Sequence, residues 1–277
     1  MAEDSRGPAP GDGYVLGHRP DELRRLASQS RVIDPITRRF LIAAGMEPGM
    51  RVLDVGSGTG DVAFLAADLV GKAGSVTGVD RSADAVATAS AAATARGLAN
   101  VEFALGDLNE LALTGRFDAI IGRYVLQWLP HPSETLAALV RHARPGAVVA
   151  FHELDWSGAA SHPTAPLWNA TCRWVAEAIR RSGAETRGTS LWGTFERAGL
   201  GAPTTRMEAV MGAGPDADPI DLVADLALTV MPAAEQLGII TTQAIGPGTL
   251  HERLRAEATA TAAVLTARTE IGAWVRV

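Results

Sequence analysis

Three glycines spaced two apart, Gly56, Gly58 and Gly60, stand in "RVLDVGSGTGDVAFLAADLVG" between an apolar run and a segment with helical apolar spacing. A strand that runs into glycines and then a helix presents free backbone N–H groups and the positive end of the helix, and glycine lets a ligand approach the main chain. Such a loop suits an anionic or carboxylate-bearing group. Asp54, two residues ahead of Gly56, adds a carboxylate that repels a pyrophosphate and attracts an ammonium group. Two more acids close apolar runs. Asp80 in "GVDRS", followed by Arg81, is placed to accept hydrogen bonds from ribose hydroxyls. Asp107 in "LGDLN" is placed to receive the exocyclic amine of an adenine, with Leu108 against the ring. Candidates for moving a proton come later, in "FHELDW" (His152, Glu153, Asp155) and "WLPHP" (His131). His152 leads, because imidazole titrates near neutrality. A regular strand turns Glu153 to the opposite face.

These groups need a sheet whose strand ends meet at one edge. From Arg51 the sequence alternates strand and helix with short joins, which predicts a parallel sheet with helices on both faces. The strands are "RVLDVG", "SVTGVD", "VEFALGD", "FDAIIGR" and "AVVAFHELD"; the helices between them include "SADAVATASAAATARG", capped by Ser82, and "SETLAALVRHARPG". Ahead of the sheet, residues 1–13 read as a leader and 14–45 as helices. Here "RPDELRRLASQ" precedes "DPITRRFLIAAG", for which Asp34 is the expected N-cap and Pro35 the first helical residue. The last third gives helices "APLWNATCRWVAEAIRRSG" and "SLWGTFERAGLG", then strands "TTRMEAVMG" and "IGAWVRV". Between those two strands lies a helical insertion over about 216–268, of the kind that serves as lid, pocket wall or dimer contact.

Composition narrows the function classes. Hydrophobic residues make up 47% of the 277, ample for a sizeable core, and no apolar run reaches the roughly 18 residues of a membrane span. The N-terminus "MAEDSRGPAPGDG" lacks the pattern of a signal peptide, so a cytoplasmic location is expected. A net charge of −6 offers no basic footprint for nucleic acid. The single cysteine, Cys172, excludes a disulfide within this sequence and a cysteine-clustered metal site, and no metal is expected.

The glycine spacing is G-x-G-x-G, not the dinucleotide G-x-G-x-x-G. Together the three strand ends describe a ligand with an amino acid at one end, a ribose in the middle and an adenine at the other. At this point the chain resembles the class I methyltransferases that use S-adenosylmethionine. "LDVGSGTG", "GVDRS", "ALGDLNEL" and "FDAIIGRYVLQWL" stand in the family's order over about residues 31–156, and "FERAGL … IGAWVRV" looks like its last two strands. The resemblance implies a Rossmann-like, seven-stranded, mostly parallel α/β sheet with an antiparallel last strand, preceded by a helical lid segment at 14–45 and forming a methyltransferase domain over 46–277. It also implies S-adenosylmethionine as cofactor: Gly56, Ser57 and Gly58 against its methionine part, the Arg123 backbone on the ammonium, Asp80 on the ribose, and Asp107 and Leu108 on the adenine. By the same resemblance Tyr14 closes the cleft against water, and His18 and Gln29 lie within reach of it. Nearest in kind are the ubiquinone and menaquinone C-methyltransferases and related natural-product tailoring enzymes, which implies C- or O-methylation of a small hydrophobic acceptor. Trp128, Trp156 and above all Trp192 are candidates for an aromatic acceptor pocket, and the N-terminal or inserted helices for a homodimer contact. The alternatives are a cyclase or binder that keeps the cofactor without transferring its methyl and, against the glycine spacing, a nicotinamide-dependent oxidoreductase.

Overall fold

The structure is a computed structural model; it describes residues 20–277 apart from 109, 111, 112, 114 and 185–187, and residues 20–28 by their backbone alone. Five parallel strands form as expected: β1 (Arg51–Val55), β2 (Ser75–Asp80), β3 (Val101–Leu105), β4 (Phe117–Arg123) and β5 (Ala143–Asp155). Helices α2 (Asp61–Val70), α3 (Ala83–Ala95) and α4 (Pro132–Val140) connect them. A one-turn helix at Trp156–Gly158 separates β5 from the short β6 (Ala160–His162). Next come α5 (Pro166–Arg181), α6 (Leu191–Arg197) and β7 (Thr204–Ala213). Three helices, α7 (Asp218–Gln236), α8 (Thr242–Ile245) and α9 (Leu250–Thr261), lead into the last strand, β8 (Val264–Arg276).

The sheet order is β3-β2-β1-β4-β5-β8, with β7 on the outer edge of β8. β8 runs antiparallel to β5 and β7. Eight strands replace the expected seven because β6 pairs Ala160–His162 with the start of β8 and so prolongs β5 past its turn. The two last strands do pair, with the helical insertion between them.

Strand alternation sorts the core. Val52, Ile121, Val148 and Ala150 pack on one face beneath α2 and the end of the first helix, α1 (Pro20–Ala43). Leu53, Ile120, Val149, Phe151 and Ile271 pack on the other with α4 and α6. Ile33, Ile36 and Phe40 of α1 join α5, α7 and α9 in a helical layer beside the sheet. Polar residues on the α1 face are therefore buried beneath the helices: Asp54 by α2, and Arg123, His152 and Glu270 farther along the sheet.

Three boundaries differ from the sequence reading. α1 is one helix with Pro35 inside it, so Asp34 does not cap a second helix. Pro35 lacks the N–H that would close one helical bond, but Ile33 (0% exposed), Ile36 (5%) and Phe40 (3%) bury their side chains only if the helix continues, and packing outweighs the break. The alanine-rich stretch read as helix to Arg268 ends at Thr261, where Ala262 takes φ 50, and Val264 opens β8. Arg268 and Glu270 thereby become strand residues on one face. In the same way α4 stops at Val140, and Ala143–Gly146 belong to β5.

Candidate functional site

The glycine loop follows β1 at the sheet edge where β1, β2 and β3 end. Gly56 has φ 61 and Gly58 φ 51, in the left-handed region that L side chains avoid. A Cβ on Gly56 would lie 2.5 Å from Val125 Cγ2, whereas beside Gly58 there is open space. The first glycine thus serves close packing, and the second leaves room for a ligand. Asp80 builds the loop as well as facing it: Oδ2 accepts from the Gly58 N–H at 2.8 Å and Oδ1 from the Ser82 N–H at 2.9 Å. A carboxylate has about four acceptor positions, so capacity for further donors is left. Arg81 and Asp107 are exposed, and Leu108 is half-buried against the core. Among the described residues, two buried polar atoms at this loop have no hydrogen-bond partner, Asp54 Oδ2 and Ser57 Oγ. Burial, only partly opposed by Arg123, pushes the Asp54 carboxyl up to about 8. Orphaned buried polar atoms at a glycine loop fit a polar ligand with donors of its own, such as an ammonium group.

A chain of buried polar side chains runs from this loop across the sheet. Arg123, at the end of β4, donates from Nη1 to Asp34 Oδ1 at 2.7 Å and to Thr37 Oγ1 at 3.0 Å, and its Nη2 stands 4.0 Å from Asp61. Ser30 donates to the same Asp34 carboxylate. Thr37 Oγ1 lies 3.1 Å from His152 Nδ1, and His152 Nε2 lies 2.9 Å from Glu270 Oε2. Glu270 also accepts from the Tyr124 hydroxyl at 2.6 Å and from Arg268 Nε at 2.9 Å. Arg268 donates further to the Tyr124 oxygen at 3.2 Å.

Protonation follows from these partners. Burial would raise Glu270, but Arg268 and the His152 and Tyr124 hydrogen bonds hold it down at about 2, so it is a carboxylate and accepts only. His152 Nε2 must then donate to Glu270, leaving Nδ1 as an acceptor facing the Thr37 hydroxyl, whose one hydrogen also has the Ile33 carbonyl within reach at 3.2 Å. Burial lowers the His152 pKa against the pull of Glu270, which keeps the ring neutral. Burial and Glu270 together push the Tyr124 hydroxyl well above its usual range.

His152 thus stands on the expected face but is 3% exposed with both ring nitrogens engaged. Glu153 does point the other way, accepting from the Val125 and Leu126 N–H groups at 2.9 and 2.8 Å. Its pKa is raised by burial to about 8. The folded protein therefore binds a proton at Glu153 that the unfolded chain has lost above about pH 4.5, and stability falls as pH rises from there toward 8. Glu153→Gln keeps an acceptor for both N–H groups and should reduce that slope, at most by about 1.4 kcal/mol per pH unit. Urea unfolding at pH 5, 6, 7 and 8 measures it, and an unchanged slope would show that Glu153 is ionised in the folded state.

The remaining candidates scatter. Asp155 caps the turn after β5, accepting from Ser157 N–H at 2.8 Å and Thr189 Oγ1 at 2.9 Å. His131 is exposed at the start of α4. Gln29 is buried, Trp128 half-buried and Trp156 buried, with its ring 5.9 Å from the Arg268 guanidinium. Trp192 corrects an expectation: α6 turns Leu191 and Phe195 into the core on the face away from His152, which leaves Trp192 50% exposed. Tyr14 and His18 lie outside the described residues. An open cleft of about 530 Å³ begins where β5 ends, lined by Asp155, Trp156, Cys172, Arg173, Glu177 and Thr189. Burial raises the Cys172 thiol to about 12, so it stays protonated. The sequence reading missed Thr37, Tyr124, Arg268 and Glu270, and gave Asp34 a capping role in place of its ion pair. For Arg268 and Glu270 the signal was the β-branched run of "VLTARTEI", masked by the alanines before it.

A family model described as a methyltransferase domain matches residues 46–197. Among curated proteins, the arsenite methyltransferase of Aquipseudomonas alcaligenes is 36% identical over 147 residues, 49% of this chain and 42% of that protein. The nocamycin O-methyltransferase of Saccharothrix syringae is 37% identical over 112 residues, 40% of each chain. The chain thus matches about two fifths of the length of these relatives. Among solved structures, a SAM-dependent methyltransferase from Aquifex aeolicus superposes with a TM-score of 0.53 at 23% identity, covering 70% of this chain and 93% of that one. That likeness is one of fold.

Proposed function

We propose that this chain, which belongs to the methyltransferase domain family, moves the sulfonium methyl group of S-adenosylmethionine onto a small organic acceptor. The observation that carries the reading is the pairing of orphaned Asp54 Oδ2 and Ser57 Oγ with the open space at Gly58, one strand from the Asp80 carboxylate. When bound, the cofactor supplies an already activated methyl group, so the protein's work is alignment and exclusion of water. Asp54 and Ser57 would receive the ammonium end, Asp80 the ribose, and Asp107 and Leu108 the adenine. The Arg123 backbone at the end of β4 would also take the ammonium, since its guanidinium is already paired with Asp34 and Asp61. Arg81 stands at the rim, Tyr14 is the proposed cover of the cleft, and His152, buried with both ring nitrogens engaged, would support the acceptor side from behind.

An organic acceptor fits this chain better than arsenite. Arsenic(III) prefers soft thiolate ligands, and this sequence has one cysteine, whose thiol is buried and keeps its proton. The cleft beyond β5, with an indole wall and Arg173 at its rim, has room for a ring-bearing molecule whose oxygen or carbon is methylated. The test is transfer of label from methyl-tritiated S-adenosylmethionine by the purified protein to a panel of phenols, enols, quinols and carboxylic acids. Label in an organic product is expected. Binding of the cofactor with no transfer to any member would favour a non-methylating role.

A further inference from the structure

Tyr124 is the first residue past β4, and it holds φ 58, a left-handed conformation that a bulky side chain adopts only under constraint. Three tethers supply the constraint. Its backbone N–H donates to the His152 carbonyl at 2.9 Å. Its hydroxyl donates to Glu270 and accepts from Arg268. Its ring has two guanidinium groups near it, with Arg123 Cζ 5.7 Å and Arg268 Cζ 5.3 Å from the centroid.

The sheet order says what this residue faces. The nucleoside side of the site lies at the ends of β2 and β3, and the glycine loop at the end of β1. β4 is next in the sheet, on the other side of the loop, and Val125 already packs against Gly56. Tyr124 therefore adjoins the loop on the side opposite Asp80 and Asp107, and it is only half-buried. Its hydroxyl is drawn toward β8, away from the loop, and its ring, partly exposed, packs against the His152 ring with centroids 5.4 Å apart. We propose that Tyr124 faces the transferring methyl group, and that Glu270 and Arg268, with His152 behind them, act as positioning residues that fix the plane of its ring. This inference rests on the methyl-transfer reading above. It gives the costly buried cluster a task that needs no proton transfer: every polar group in it already has a partner, so the cluster acts by holding geometry.

The chain contains two tyrosines, which makes the test direct. Full-length protein labelled with 3-fluorotyrosine gives two fluorine resonances, and Tyr124→Phe identifies the one that belongs to Tyr124. S-adenosylmethionine and S-adenosylhomocysteine differ at the sulfur by the methyl group and its charge. The Tyr124 resonance is expected at different positions in the two complexes. In Glu270→Gln, which weakens the tether, that resonance should broaden or split while affinity for S-adenosylhomocysteine stays within about threefold. Tyr124→Phe should likewise keep that affinity, and transfer should fall about tenfold on any acceptor the wild type uses. The same Tyr124 position in both complexes, with saturable binding of each by calorimetry, overturns the proposal and leaves the methyl-transfer reading standing. Binding of neither compound by the wild type overturns both.

Discussion

Glu270→Ala is expected to destabilise the folded protein by about 3–5 kcal/mol, the usual cost of removing one partner from a buried ion pair. Glu270 is 0% exposed and Arg268 1% exposed. Without the carboxylate, Arg268 keeps its charge in the interior with the Tyr124 oxygen as its remaining hydrogen-bond acceptor among the described residues, while His152 Nε2 and the Tyr124 hydroxyl lose the acceptor they share. The double variant Glu270→Leu with Arg268→Met removes the stranded charge and should regain part of the loss, because a buried pair exchanged for apolar side chains of like volume is often neutral. Urea unfolding of the wild type and the two variants measures both effects. A single variant within about 1 kcal/mol of the wild type would mean that water reaches Arg268. Acid acts on the same pair. The Glu270 pKa is depressed to about 2, so its contribution is complete above the ordinary glutamate range and drains away as pH falls from there toward 2.

Asp80→Ala should weaken binding of S-adenosylhomocysteine by at least about 100-fold, roughly 2.7 kcal/mol. The size follows from two roles of one carboxylate. It accepts charge-assisted hydrogen bonds from the Gly58 and Ser82 N–H groups, each worth about 1.5–3 kcal/mol, and so fixes the loop before a ligand arrives. Its remaining lone pairs are those assigned to the ribose. Asp80→Asn retains one acceptor oxygen, and its loss should be nearer tenfold. Calorimetry on both variants checks the ratio. Equal affinities in wild type and Asp80→Ala would remove Asp80 from the cofactor site and leave it a loop brace.

The loop was legible because its information is local. Gly56, Gly58, Asp54 and Asp80 lie within 27 residues, and the alternation of strand and helix around them places Asp80 and Asp107 at neighbouring strand ends. The buried chain from Asp34 to Glu270 was not. Its members come from α1, β4, β5 and β8, and they meet only because those elements pack. Two local misreadings hid it further. Pro35 looked like a helix start, which turned Asp34 into a cap, and the alanines of "RAEATATAAVLTAR" carried helical character past Thr261, which kept Arg268 and Glu270 off any strand. His152 was singled out by its residue type and strand position, and the folded chain buries it. Its partners could be found only from the folded chain.

Whether the glycine loop holds an adenosyl amino acid is tested most directly by calorimetric titration of the purified chain with S-adenosylhomocysteine, beside the oxidised nicotinamide dinucleotides. Saturable binding of S-adenosylhomocysteine and no heat from the dinucleotides is the predicted result. Binding of a dinucleotide with none of S-adenosylhomocysteine would contradict it, and the roles given to Asp54, Ser57 and Asp80 would fall with it.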